Sequence, residues 1–132
     1  MRQLNMKAWI GAAALTGTLA NGFAIADEIE NGSALLRQCN LMLDSKEIMN
    51  ASRLEVLGAG QCIGKVAGVR NTLVYLSDLK EMPKLLCANG AFITNDQSVR
   101  IVVKYLNDHP KDLHMEPSAL IMMALMDAFP CQ

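Results

Sequence analysis

Four cysteines, Cys39, Cys62, Cys87 and Cys131, constrain this chain more than any other feature. They follow a segment that reads as an export leader. Arg2 and Lys7 are its positive end, Ala8 to Ala20 is uncharged and apolar, and Asn21-Gly22 breaks the run. Ala24-Ile25-Ala26 then offers the small-x-small pattern of signal peptidase, just ahead of Asp27. The sequence therefore predicts a signal peptide over 1–26 and one domain over 27–132. The apolar run is short for a membrane span of about 20 residues, and no cysteine follows it to carry a lipid. An even number of cysteines in a small exported chain implies two disulfides. No Cys-x-x-Cys pair occurs, which argues against a redox or zinc-ribbon motif.

Three pairings are possible, and helical periodicity selects among them. Ser33 is placed to cap a first helix over 34–43, with Ala34, Leu35, Leu36, Cys39, Leu41, Met42 and Leu43 apolar. Residues 44–50 read as a polar connection. Ser52 and Glu55 have the spacing of a capping box that opens a long second helix over 53–80. Met82-Pro83 stops that helix, and Asn89-Gly90 marks a turn in the loop that follows. Thr94 or Asn95 caps a third helix over 96–108, and Pro117 opens a fourth that Pro130 closes. The first two helices run antiparallel, which brings Cys39 near Cys62. The fourth runs back toward the start of the third, which brings Cys131 near Cys87. The expectation is an all-α bundle of four main helices stapled by Cys39–Cys62 and Cys87–Cys131.

Gly60, Gly64 and Gly68 recur every fourth residue of the long helix. Each weakens a helix by up to ~1 kcal/mol relative to alanine, so some close approach should benefit. The first reading is tight packing against a neighbouring helix. The sharper one is contact with a second protomer or a partner.

A search for chemistry finds little. No Gly-x-Ser-x-Gly, Walker loop or His-Glu-x-x-His occurs. The cysteines are used as staples, and the acids are scattered along polar faces rather than converging. His114 with Asp112 and Glu116 would make a poor metal patch beside the plainer reading of a solvated turn. Nine methionines read as core filling. Once Arg2 and Lys7 are removed, ten basic residues face thirteen acidic ones, a net charge of −3. That balance does not suit a nucleic-acid partner. The residues read as a binding protein without cofactor or metal, not an enzyme.

Certain strings carry more. Cys62-Ile63-Gly64-Lys65-Val66-Ala67-Gly68, the run from Val99 to Pro110 with Leu113-His114, and the closing Ala128-Phe129-Pro130-Cys131 together resemble the Rap/Tai family of type VI secretion immunity proteins. The likeness covers about 33–131. Two departures stand out: Lys65, where the family often has an aromatic, and Ala88-Asn89, where a proline often follows the third cysteine. The resemblance implies a periplasmic helical protein, often a homodimer, that binds a peptidoglycan amidase and occludes its cleft with a loop or helix surface. Exposure then points to the loop 88–96 and the turn 108–116 as contact surfaces, with Asn89, Asp96, Asp108, His109, Lys111 and His114 as candidates. The competing class is a periplasmic acid-stress chaperone of the HdeA type, also small, helical and disulfide-bonded.

Overall fold

The structure is a computed structural model that describes residues 30–79 and 83–131. The expected leader at 1–26 and the end of the expected second helix at 80 lie outside the described residues. Five α-helices make up the described chain. The first, α1, runs Gly32–Leu43, and the second, α2, is the short Ser45–Asn50. The long helix α3 spans Arg53–Asp78, α4 spans Asn95–Asp108, and α5 spans Pro117–Ala128 after a single 3-10 turn at Pro110–Asp112.

Side chains that satisfy free backbone N–H groups set the boundaries. Asn31, not Ser33, caps α1, its Oδ1 accepting from the Ala34 N–H at 3.1 Å. The helix therefore begins two residues before the expected start. Asp44 accepts from the N–H groups of both Lys46 and Glu47 at 2.9 Å. Those two bonds nucleate α2, so the stretch expected as a polar connection is helical. The capping box on α3 is present in both directions: Ser52 Oγ accepts from Glu55 N–H, and the Glu55 carboxylate accepts from Ser52 N–H at 2.8 Å. Thr94 caps α4 through the Gln97 N–H. Glu116 caps α5 through the Ala119 N–H, with Pro117 in the first turn.

The core lies between α3 and the other helices. Leu35 and Cys39 of α1, Cys62, Val66 and Leu73 of α3, Val99, Val102 and Leu106 of α4, and Leu120, Ile121 and Leu125 of α5 form one buried cluster. Each fully buried Leu or Ile side chain contributes roughly 1.5–3 kcal/mol of transfer free energy. Cys39–Cys62 ties α1 to α3 inside this cluster, and Cys87–Cys131 ties the segment before α4 to the end of the chain. Both pairs are those the helix pattern selects.

The glycine expectation is corrected. A Cβ placed on Gly60, Gly64 or Gly68 meets nothing within 4 Å. The stripe lies on the outer face of α3, and among the described residues no neighbouring helix packs directly against it. The glycine that does permit a close approach is Gly32. A Cβ there would stand 2.5 Å from Leu120 Cδ1 and 3.0 Å from Leu113 Cα. This approach seats the start of α1 on the turn before α5, where Met115 O and Leu113 O accept from the N–H groups of Gly32 and Ser33.

Candidate functional site

Between α3 and α4 the chain forms an arm, residues 83–94, fastened at both feet. At the first foot, Ser77 Oγ on α3 accepts from the N–H groups of Leu85 and Leu86 at 3.0 and 3.1 Å. Leu86 is buried in the core cluster. Cys87 follows, bridged to Cys131, and its N–H donates to Phe129 O at 3.0 Å. At the second foot, Ile93 is buried, and Arg70 of α3 donates from one guanidinium nitrogen to Ile93 O at 3.0 Å and to Ser98 Oγ at 3.3 Å. Ser98 is itself fully buried and donates to Thr94 O.

Between the feet the chain reverses. Asn89 and Gly90 hold φ of 49° and 79°, and Ala91 N–H donates to Ala88 O at 2.9 Å. Two successive left-handed residues make a tight reversal that asparagine and glycine tolerate better than other residues. Phe92 follows this reversal and is 87% exposed. The arm and the last turns of α3 enclose a groove of about 780 Å³, whose walls include Asn71, Val74, Tyr75, Asp78, Lys84 and Phe92. Tyr75 is 65% exposed. An exposed Phe and Tyr flanking one groove form a surface suited to burying apolar area against a partner.

The six candidate contact residues fall into two groups. Asn89 is at the tip of the arm, and Asp96 is in the first turn of α4. Asp108 ends α4 and His109, Lys111 and His114 follow it, about 20 Å away along a helix of this length. The two groups do not converge on one site. Several members are also occupied. Asp96 pairs with Arg100 one turn on, and Asp108 pairs with Lys104. His109 stacks on Tyr105 with ring centroids 4.0 Å apart, and its Nδ1 lies 2.8 Å from Tyr105 O. His114 Nδ1 lies 2.9 Å from Lys111 O. The turn 109–116 therefore does structural duty, bracing the entry to α5 and the start of α1.

A second, shallower groove of about 370 Å³ runs along the glycine stripe, bounded by Gly64, Lys65, Gly68, Leu76, Leu85 and Met122. Lys65 at its edge pairs with Glu30.

The Arg100 guanidinium holds the Asp96 carboxyl below its usual range, and the Lys104 ammonium does the same for Asp108. Backbone N–H groups of Ser118 and Ala119 lower Glu116, and the Ser52 hydroxyl and N–H lower Glu55. These carboxylates are fixed as anions at neutral pH. Burial pushes the Tyr105 hydroxyl up, reinforced by the charges of Asp112 and Asp127. Among the described residues no three His, Cys, Asp or Glu side chains are grouped to hold a metal, and every cysteine is bonded. No helix among them is long and apolar enough to cross a membrane.

Phe92, Tyr75 and Arg70 are absent from the sequence-derived candidates. One signal was available. Phe92 and Ile93 are adjacent in a loop, and neighbouring side chains there seldom share one side. A model of the family described as Rap1a immunity proteins matches residues 31–131. No curated protein and no solved structure matches the chain.

Proposed function

Because the chain belongs to the Rap1a immunity protein family, we propose that it neutralises a type VI secreted peptidoglycan amidase in the periplasm, and that it does so by seating the arm 83–94 across the enzyme's active-site cleft. The observation that carries the surface assignment is the solvent-projecting Phe92 on an arm fastened at both feet. A braced arm loses little conformational freedom on docking, and a large exposed ring supplies apolar area where it is needed. Charges at the rim, Lys84 and Asp78, set orientation more than affinity.

The leader 1–26 delivers the chain to that compartment and is removed there. The native protein then begins at Asp27, which intact mass reads directly. The protein works as a homodimer, with the exposed apolar side chains Leu54 and Leu57, neighbours at i and i+3 on α3, at the face between copies. Light scattering of the mature chain gives a dimer mass on this reading and a monomer mass against it.

The central test is binding and inhibition. Tagged 27–132 exported in its host should recover a peptidoglycan amidase one to one, and the purified pair should lose amidase activity. Phe92→Ala should weaken the complex by about 2 kcal/mol, the scale of a truncated aromatic anchor, while leaving helicity intact. Recovery of no amidase, or full activity in the recovered complex, would refute the proposal.

A further inference from the structure

We propose that the Cys87–Cys131 disulfide is a redox latch on the arm, opened by a dithiol reductant, whereas Cys39–Cys62 is a permanent staple of the core. This inference deepens the immunity reading and rests on it for its biological consequence.

The two bonds sit in contrasting surroundings. Cys39 and Cys62 are both 0% exposed, between α1 and α3 in the middle of the buried cluster. An attacking thiolate has no line of approach there without opening the bundle. Cys131 is exposed and Cys87 half-buried, and the bridge joins the segment before α4 to the segment after α5 rather than one helix to another. Exchange requires a thiolate to reach a disulfide sulfur, so access ranks the outer bond far ahead of the inner one.

The outer bond also sits where its loss changes one surface and spares the rest. It reinforces the first foot of the arm, beside the Ser77 hydroxyl bonds and the Cys87 N–H to Phe129 O bond. The second foot, at Ile93 and Arg70, is held independently. Leu73, Val99, Val102 and Leu106 are buried by helix packing that the bridge does not make. Opening the bridge frees Phe129 to Cys131 and loosens the arm from one side, while the bundle keeps its core and its inner staple.

A dithiol's thiolate attacks Cys131 Sγ, forms a mixed disulfide and expels Cys87 as a thiolate, which takes up a proton. The reductant's second sulfur then displaces Cys131, which is protonated in turn. Two electrons and two protons pass to the pair, and the dithiol leaves as its own disulfide.

The test uses the mature oxidised chain and dithiothreitol under native conditions, with alkylation and peptide mapping at each step. Cys87 and Cys131 should label together before Cys39 or Cys62. In that half-reduced protein the amides of Leu85, Leu86 and Cys87 should exchange at least about tenfold faster while those of Val66, Val102 and Leu106 keep their protection. The variant Cys87→Ser/Cys131→Ser should match it, which separates bridge loss from the bulk of the alkyl groups. Early labelling of the inner pair, all four cysteines labelling at once, unchanged arm amides, or a general loss of protection each overturns the latch. The recovered amidase should bind the half-reduced chain about tenfold more weakly than the oxidised one; equal binding overturns the control of docking. If the oxidised chain binds no amidase, the immunity reading fails instead, and labelling order with amide exchange still decides the latch.

Discussion

Replacing Gly60, Gly64 and Gly68 together by alanine should stabilise the protein. All three lie within α3, all are exposed, and a Cβ at each meets nothing within 4 Å. The folded state therefore accepts three methyl groups without a clash. The unfolded chain loses backbone freedom, and the helix gains three better formers. Each replacement is worth about 0.4–1 kcal/mol, so the triple variant should gain roughly 1–3 kcal/mol. A domain of ~100 residues changes by about 0.2 kcal/mol per degree near its midpoint, which converts that gain to a rise of roughly 5–15 °C in Tm. Thermal unfolding followed by far-UV circular dichroism, on the oxidised mature chain, reads it. A Tm at or below the parent would show that something in the folded protomer needs those glycines, and would sink the open-face reading. The variant also reports on partners. If the stripe is a contact face, it should be more stable yet associate less well with whatever covers it.

Gly32→Ala should act in the opposite direction, costing about 1–3 kcal/mol, because the new Cβ would collide with Leu120 Cδ1 and crowd the Leu113 backbone; an unchanged urea midpoint would show that α1 can shift freely at its start. Removing the disulfides pairwise should reverse the order that loop length alone dictates. Closure entropy gives about 3.4 kcal/mol for the 23-residue separation of Cys39–Cys62 and about 4.0 kcal/mol for the 44-residue separation of Cys87–Cys131. Cys39→Ala/Cys62→Ala also empties two fully buried sulfur sites, each adding roughly 1 kcal/mol of lost transfer and cavity free energy. That variant should therefore be the less stable by extrapolated unfolding free energy, and the opposite order would refute the assignment of roles. For pH, the carboxyls of Glu55, Asp96, Asp108 and Glu116 are depressed in the folded state. Their contribution is then complete above the ordinary carboxylate range and lost as pH falls through the folded values, from about pH 4 downward. Carboxyl-carbon NMR titration should place all four below their unfolded values, and any one at or above would contradict its hydrogen bonds. Helicity should persist near pH 3, because two disulfides still restrain the chain; collapse there would favour an acid-activated chaperone.

Much of the fold was legible in the residues because its determinants are local. The Ser52–Glu55 box, Thr94, Pro117 and the apolar spacing of each helix act within a few residues, and periodicity carries them into helix limits. The disulfide pairing followed from the same helices, since antiparallel neighbours joined by a loop leave few cysteines within reach. Where local rules competed, the reading slipped. Asn31 and Ser33 both suit a cap, and contacts of Gly32 and Ser33 with Leu113 and Met115 favour the earlier start. Asp44 could end one helix or begin another, and it does both.

The site was less legible, for a physical reason. The spacing of Gly60, Gly64 and Gly68 shows that they share a face but not what stands opposite it. The polarity of Asp96, Asp108 and His109 suggests exposure, but their partners Arg100, Lys104 and Tyr105 hold them in place. Phe92 looks like a core residue until Ile93 takes the buried position and leaves it outside. What the sequence by itself determined was the set of helices, their caps and the cysteines that could meet. Which side of α3 stays bare, which of two adjacent apolar residues is buried, and which disulfide solvent can reach depend on how the helices cross, and only the packed tertiary structure decided them.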